Sequence, residues 1–194
     1  MTLPQIIIKT ERLILNALTM DDLPIVHAEW GAREIARMTA SVTADWSVEQ
    51  ARNWMETRHE QRPDGFGLAI RRASDNRLIG SVGMGGAPRN IGYLLARPFW
   101  GQGYATEAVS AFLGKAYDMF DNLDVIEAGV FDDNPSSSKV LTKLGFQRVG
   151  SGDCTSLARD SSSPNSLFRL TRAAYSNTSP QSQSTSNRLS LRSL

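Results

Sequence analysis

Two glycines in the segment Trp100–Thr106, which reads WGQGYAT, mark the first candidate for a binding site. The segment follows a predicted strand and opens a strongly patterned helix. Gly101 and Gly103 have no Cβ atom, so the backbone can approach a ligand closely. The first-turn N–H groups of the helix lack intrahelical partners and lie at the positive end of its dipole, which suits phosphate or pyrophosphate. The spacing predicts an anion site, although the same glycines would also serve a plain strand-to-helix turn.

A second candidate is the segment that begins at Asn134 and reads NPSSSKVLTKLGF. Asn134 suits the N-cap of a short helix, Pro135 its first position and Gly145 its C-terminal stop. Three consecutive serines, of which Ser137 is the middle one, exceed what capping requires. A hydroxyl in a first helical turn can donate a proton to a leaving group, so the pattern indicates general-acid chemistry as well as structure.

A dinucleotide-binding loop is the competing interpretation of the two glycines. Thr106 occupies the third small position of the G-x-G-x-x-G pattern, and the loop begins only after about half of the chain. Asp132 and Asp133 do follow the next predicted strand, so the hypothesis stays open as the weaker one.

The elements that must position these segments mix helices and strands before Gly150. From Tyr104 to Phe120 the apolar residues recur with the period of a helix buried on one face, which predicts a helix packed on a sheet. Shorter helices are predicted after Thr19 and after the capping box Ser47–Gln50. The predicted strands, several of them separated by turn residues that indicate hairpins, are Ile7–Leu15, Phe66–Arg71, Leu78–Met84, Asn90–Leu95, Val125–Phe131 and Ser166–Arg172.

The composition favours one globular domain with an appendage. The chain has 194 residues, and 21 basic against 20 acidic side chains argue against a nucleic-acid partner. A single cysteine, Cys154, forms neither an internal disulfide nor a thiolate metal site, so we expect no metal and a cytoplasmic location. No stretch is long and apolar enough to cross a membrane. We expect residues 1–175 to form the domain and the Ser-, Asn- and Gln-rich residues 176–194 to form a disordered tail.

Four motifs, in this order and at this spacing, resemble the Gcn5-related N-acetyltransferase (GNAT) superfamily, and more narrowly its RimJ/RimL-like branch. They are Lys9–Leu15, Gly92–Leu95, Trp100–Ala108 and the helix segment that begins at Asn134. The resemblance implies an α+β fold with a central mixed, mostly antiparallel sheet flanked by helices and splayed at the strand before the glycine loop. It implies acetyl-CoA in that split, a small-molecule amine or a protein N-terminus as substrate, and a homodimer.

The resemblance also implies roles for individual residues. The backbone of Tyr93, Leu94 and Leu95 would pair with the pantetheine arm and the acetyl carbonyl, and a strand amide near Leu94 would stabilise the oxyanion. Asn134 matches a position near the pantetheine, and Ser137 matches the hydroxyl that protonates the departing thiolate. The phosphate-binding residues are Trp100, Gly101, Gln102, Gly103, Tyr104, Ala105 and Thr106.

This sequence departs from the superfamily pattern in three places. Pro98 stands where Gln or Arg usually opens the phosphate loop, and Trp100 stands at the usual Arg position. The loop should still bind phosphate, because the contact is made by backbone groups. No tyrosine follows Asn134 at the spacing of the usual general acid, which moves that prediction to Ser137.

The general base is left undecided by the sequence. Glu107 is more typical of a residue that compensates the helix dipole. The remaining candidates are Glu127, Asp132, Asp133 and Tyr93.

The sequence therefore predicts an acetyl-CoA-dependent N-acetyltransferase that works by direct attack of a primary amine in a ternary complex. The alternative is a non-catalytic acyl-CoA sensor or interaction module, which the missing tyrosine and the undecided base favour. The acceptor is not predicted, because the residues expected to line its groove, 20–65, are the least patterned of the chain.

Overall fold

The computed structural model describes residues 6–57 and 65–178, and these residues form an eight-stranded sheet in the order β1-β2-β3-β4-β5-β6-β8-β7. The strands are β1 Ile8–Lys9, β2 Leu13–Asn16, β3 Phe66–Arg72, β4 Leu78–Gly85, β5 Asn90–Leu95, β6 Val125–Phe131, β7 Gln147–Cys154 and β8 Ser163–Thr171. Every neighbouring pair is antiparallel except β5 and β6, which are parallel. The predicted mixed, mostly antiparallel sheet is confirmed.

The described helices differ widely in length. They are α1 Leu23–Ile25, α2 Arg33–Ala36, α3 Val48–Glu56, α4 Tyr104–Met119, α5 Pro135–Lys143 and α6 Arg172–Thr178. None of them is long and apolar enough to span a bilayer. The helix that was predicted as the strongest element is the longest of them, α4, with 16 residues.

The sheet opens between β5 and β6. Strand β5 pairs with β4 along the whole length of β5, whereas β5 and β6 share only the pair Asn90 and Glu127. The Glu127 N–H donates to the carbonyl of Arg89 over 2.8 Å at this junction. Beyond it the two strands diverge, which confirms the predicted splay at the strand before the glycine loop.

Helix α4 holds the sheet together on one side of this opening. Its buried face includes Ala108, Phe112 and Leu113, none of which is exposed. The Phe112 ring stacks on Phe66 of β3 at a centroid distance of 4.4 Å. The core therefore runs from the β3 side of the sheet to the beginning of the split.

Two elements differ from their predictions in shape. The predicted strand Ile7–Leu15 is a hairpin of β1 and β2, because Thr10 closes a tight turn in which its hydroxyl accepts a hydrogen bond from the Leu13 N–H over 3.0 Å. The helix predicted after Thr19 is divided into a 3-10 turn at Met20–Asp22, α1, and a π turn at Val26–Trp30.

Two further elements were not predicted. Strand β7 lies at the sheet edge and is mostly exposed, so its sequence lacks the apolar alternation that signals a strand. Helix α6 extends to Thr178, past the expected domain boundary at 175. The rest of the expected tail, residues 179–194, lies outside the described residues.

We predict that Phe112→Ala lowers the free energy of unfolding by about 3–5 kcal/mol, since it removes a buried ring from a packed contact. Met119→Ala, at the 38% exposed end of the same helix, is the control and should change it by about 0.5 kcal/mol. Urea denaturation measures both. Equal effects from the two variants would contradict the placement of the core.

Candidate active site

A cavity of about 1130 Å³ follows the split in the sheet. Its walls come from β5, from the glycine loop, from the end of β6 and from the first turn of α5. A cavity of this size exceeds what a small metabolite fills, and it suits an extended ligand.

Strand β5 presents unpaired backbone groups to the cavity. The Ala96 N–H donates to the Ile79 carbonyl of β4 over 2.9 Å. In an antiparallel pair every second residue hydrogen-bonds to the partner strand, so this bond fixes which residues of β5 bond to β4. By that alternation Leu94 hydrogen-bonds to β4, while Tyr93 and Leu95 direct their N–H groups into the split. The Leu94 amide is therefore not available to a ligand, and the predicted backbone contacts fall to its two neighbours.

The glycine loop adopts the conformation that its sequence requires. Gly101 has φ +73° and Gly103 has φ +82°, and Gly103 is the N-cap of α4. The first helical hydrogen bond runs from the Glu107 N–H to the carbonyl of Gly103 over 3.1 Å. The N–H groups of residues 104–106 therefore lack helical partners, and these residues line the cavity. Of the residues predicted to bind phosphate, all line the cavity except Gln102.

Side-chain contacts hold this loop in place. Glu107 accepts hydrogen bonds from the Thr10 hydroxyl over 2.6 Å and from the Arg12 Nε over 2.7 Å. Arg12 Nη1 also donates to the carbonyl of Gln102 over 3.1 Å. Burial alone would raise the pKa of Glu107, but these hydrogen bonds outweigh it and hold that pKa below its usual value. Glu107 thus serves the loop and is not a general base.

The end of β5 is tied to the same loop by Trp100. Its indole Nε1 donates to the carbonyl of Leu95 over 2.7 Å, and the Arg97 guanidinium lies 4.6 Å from the centre of its ring. Trp100 therefore links the glycine loop to the backbone of β5. Pro98, the other departure from the family pattern, accepts a hydrogen bond from Gln102 Nε2 over 2.8 Å through its carbonyl.

Tyr93 and Ser137 meet across the split. The phenolic oxygen of Tyr93 lies 2.7 Å from Ser137 Oγ, so a side chain of β5 contacts the first turn of α5. Asn134 caps that turn, since its Oδ1 accepts a hydrogen bond from the Ser137 N–H over 3.2 Å. Burial raises the pKa of Tyr93 to about 12, which keeps the phenol protonated and makes it a donor at neutral pH. The structure brings together all three residues of the predicted catalytic set, with Tyr93 unsuited to act as a base.

Two of the predicted base candidates lie outside the cavity wall. Glu127 forms an ion pair with Arg169 at 2.6 Å, and Asp132 accepts a hydrogen bond from the Ser166 hydroxyl over 2.7 Å. Neither lines the cavity, so neither is placed to receive a proton there.

Asp133 does line the cavity but is held by two arginines. Its oxygens lie 2.8 Å from Arg159 Nη2 and 2.6 Å from Arg37 Nη2. The hydrogen bond from Arg159 is the main reason that the pKa of Asp133 falls below its usual value. A carboxylate stabilised in this way is a poor base, and it joins three parts of the chain.

Residues 38–42 follow α2 and line the cavity, and they belong to the stretch 20–65 that was expected to line an acceptor groove. The β7–β8 connection packs on the residues that follow α2, since Ser156 Oγ donates to the Thr39 carbonyl over 2.7 Å and the Leu157 N–H donates to Ala40 over 3.2 Å. Such contacts between loops distant in the chain have no sequence signature. Arg12 was more accessible to prediction, because it lies within a motif that was already recognised.

The chain is similar in sequence to known proteins. The family model for the acetyltransferase (GNAT) domain matches residues 12–147. The uncharacterized N-acetyltransferase YoaA of Bacillus subtilis strain 168 is 30% identical over 151 residues, which cover 74% of this chain and 84% of that protein.

Solved structures agree in fold. A GNAT-family acetyltransferase from Bacillus anthracis gives a TM-score of 0.74 at 20% identity and covers 86% of this chain and 98% of its own. Mycobacterium smegmatis RimJ in complex with CoA-disulfide gives a TM-score of 0.71 at 20% identity and covers 87% of each chain. The matched region of the family model includes β5, the glycine loop and all of α5.

We predict that Gly101→Ala weakens acetyl-CoA binding at least tenfold, because a Cβ atom there would meet no protein atom within 4 Å and would project into ligand space. Gly145→Ala is the control, with a similar φ of +88° at the end of α5 and no place in the cavity wall. Both variants should lose about 1–2 kcal/mol of stability from backbone strain. Calorimetric titration that found equal affinities in the two variants would contradict the assignment of the loop.

Proposed function

The chain belongs to the GNAT acetyltransferase family and is an acetyl-CoA-dependent N-acetyltransferase, and on that premise we propose that it acetylates a primary amine by direct attack in a ternary complex. Ser137 is the general acid of this proposal, and Tyr93 positions it. The contact of 2.7 Å between Tyr93 and Ser137, inside the split, is the observation that carries the assignment.

The residues of the split fit the cofactor. The N–H groups of Tyr93 and Leu95 are arranged as one edge of a sheet, so they suit the amide and carbonyl groups of a pantetheine arm. The N–H groups of residues 104–106 suit its pyrophosphate. When bound, acetyl-CoA supplies the acetyl carbon to which the amine nitrogen bonds and the sulfur that departs as the carbon–sulfur bond breaks.

Ser137 supplies the proton that the departing sulfur requires. Its hydroxyl belongs to a turn that Asn134 caps, and its Oγ lies at hydrogen-bond distance from the phenol of Tyr93. Tyr93 is protonated at neutral pH, and its single O–H lies within reach of both the Ser137 carbonyl, at 3.2 Å, and Ser137 Oγ, at 2.7 Å. In this proposal the phenol donates to Ser137 Oγ while the serine proton is directed at the sulfur. An N–H of β5, from Tyr93 or Leu95, would stabilise the oxyanion.

The attacking amine must lose a proton, and we assign its acceptor to water. Among the described candidates Tyr93 is protonated, Asp133 is held by two arginines, and Glu127 and Asp132 lie outside the cavity wall. The pH dependence of turnover should then follow the titration of the acceptor amine.

The acceptor is a small-molecule amine or a protein N-terminus in this proposal. The described residues on the acceptor side are mostly apolar or neutral, and they include Leu18, Ile35, Val42 and Trp54. Asp133 is compensated by Arg37 and Arg159, and a second carboxylate residue, Asp153 of β7, also belongs to the cavity wall. Homodimer formation stays a prediction.

We predict that Ser137→Ala lowers kcat by roughly 100- to 10,000-fold, the usual contribution of a general acid, with little change in acetyl-CoA affinity. Ser138→Ala is the matched control, since Ser138 is the adjacent hydroxyl and does not line the cavity. Release of CoA and formation of the acetylated amine, followed over a panel of amines, measure both variants.

Two other results would contradict the proposal in different ways. Full turnover by Ser137→Ala would remove Ser137 from the mechanism. Binding of acetyl-CoA with no transfer by the wild-type protein to any amine would favour the non-catalytic acyl-CoA sensor.

A further inference from the structure

We propose that Asn165 is an acceptor-binding residue, whose carboxamide hydrogen-bonds a neutral polar group next to the acceptor amine. The inference rests on the proposed function, because it assigns part of the acceptor subsite of the same cavity. Neither the family motifs nor the sequence patterns include Asn165.

Asn165 is a buried polar residue whose carboxamide has no hydrogen-bond partner within residues 6–57 and 65–178. It is only 5% exposed and belongs to the cavity wall. No hydrogen bond joins its carboxamide to another of the described residues. Among the described residues, the side-chain N and O atoms that are fully buried and lack a hydrogen-bond partner are Glu29 Oε2, Trp30 Nε1, Arg89 Nη1 and Tyr117 Oη. The carboxamide atoms of Asn165 are not among them, so they are not fully buried. Its polar atoms therefore open to the cavity, where a ligand can satisfy them.

The carboxamide is directed from β8 across β6 toward the split. An ideal Cβ atom at Gly129 of β6 would lie 3.1 Å from Asn165 Nδ2 and 3.2 Å from Oδ1. Such distances are tighter than most real Cβ contacts, so the amide occupies the space that a side chain at 129 would take. The missing side chain at Gly129 allows the carboxamide to lie there.

The position of Asn165 along the sheet places it beside the end of β6, from which the chain continues to Ser137. Asn165 pairs with Phe131, the last residue of β6, after which the chain passes directly into the turn that carries Ser137. The split begins at Glu127, so Phe131 lies where the two strands have already diverged. The Asp132 N–H donates to the Pro164 carbonyl over 3.0 Å and holds β8 to this turn.

The chemistry of a carboxamide limits what it can bind. Asn165 offers two N–H donors and one carbonyl acceptor without charge. Two carboxylate residues share the cavity wall with Asn165: Asp133, which Arg37 and Arg159 compensate, and Asp153, which follows the β7 residue that pairs with Asn165. A complementary ligand group both donates and accepts hydrogen bonds, as an amide does. An alkyl group would leave the carboxamide of Asn165 without a hydrogen-bond partner, which lowers the affinity.

The test compares two acceptors that differ only beside the amine, alaninamide and isopropylamine. We expect the wild-type protein to prefer alaninamide. Asn165→Ala should raise the KM for alaninamide at least tenfold, while the KM for acetyl-CoA and for isopropylamine stays within about twofold, since a tenfold effect matches the loss of one hydrogen bond to a neutral group.

Two glycine variants separate displacement of the carboxamide from general damage to the sheet. Gly129→Ala should reproduce the effect of Asn165→Ala because its Cβ displaces the carboxamide. Gly152→Ala is the control, since Gly152 pairs with Asn165 from β7 and its Cβ would meet nothing within 4 Å.

Each other outcome overturns a different claim. Unchanged KM for alaninamide in Asn165→Ala, or an equal loss with both amines, overturns the role of Asn165. Acetyl-CoA binding without any transfer to alaninamide by the wild-type protein also overturns it. Absence of acetyl-CoA binding overturns the proposed function instead.

Discussion

The divergence of β5 from β6 is the constraint on which the rest of the site depends. One parallel pair, Asn90 and Glu127, joins the two halves of the sheet, and beyond it the N–H groups of Tyr93 and Leu95 have no partner strand. Backbone groups left unpaired in a protein interior are costly, so such an edge favours a ligand that completes the ladder. The glycine loop follows β5 directly and places the N-terminus of α4 beside the same opening.

The two sides of the opening are joined by side chains at a few points. Tyr93 reaches from β5 to Ser137 of α5, and Asp133 is bound by arginines from two other segments. Glu107 fixes the loop to the β1–β2 hairpin through Thr10 and Arg12. These contacts form a rigid frame around a cavity, which is what a reaction between two bound substrates requires.

The parts of this site that sequence reasoning predicted are those with local causes. The glycine loop, the Asn134 cap and the helix α4 follow from conformational and periodic signals that span a few residues, and the four motifs added the splayed sheet. The sequence does not show which N–H groups of β5 are directed to β4 and which into the split, because this depends on which residues of β4 pair with β5. Strand β7 lacks apolar alternation, and the position of Asn165 over Gly129 depends on the register of two strands more than thirty residues apart.

NMR-detected amide hydrogen exchange with and without CoA shows whether the edge of β5 and the first turn of α4 together bind the cofactor. We expect slower exchange on CoA binding at Tyr93, Leu95 and residues 104–106, and little change at Leu94, which is already bonded to β4. Protection of Leu94 with no effect at its neighbours, or no protection in the split at all, would contradict it.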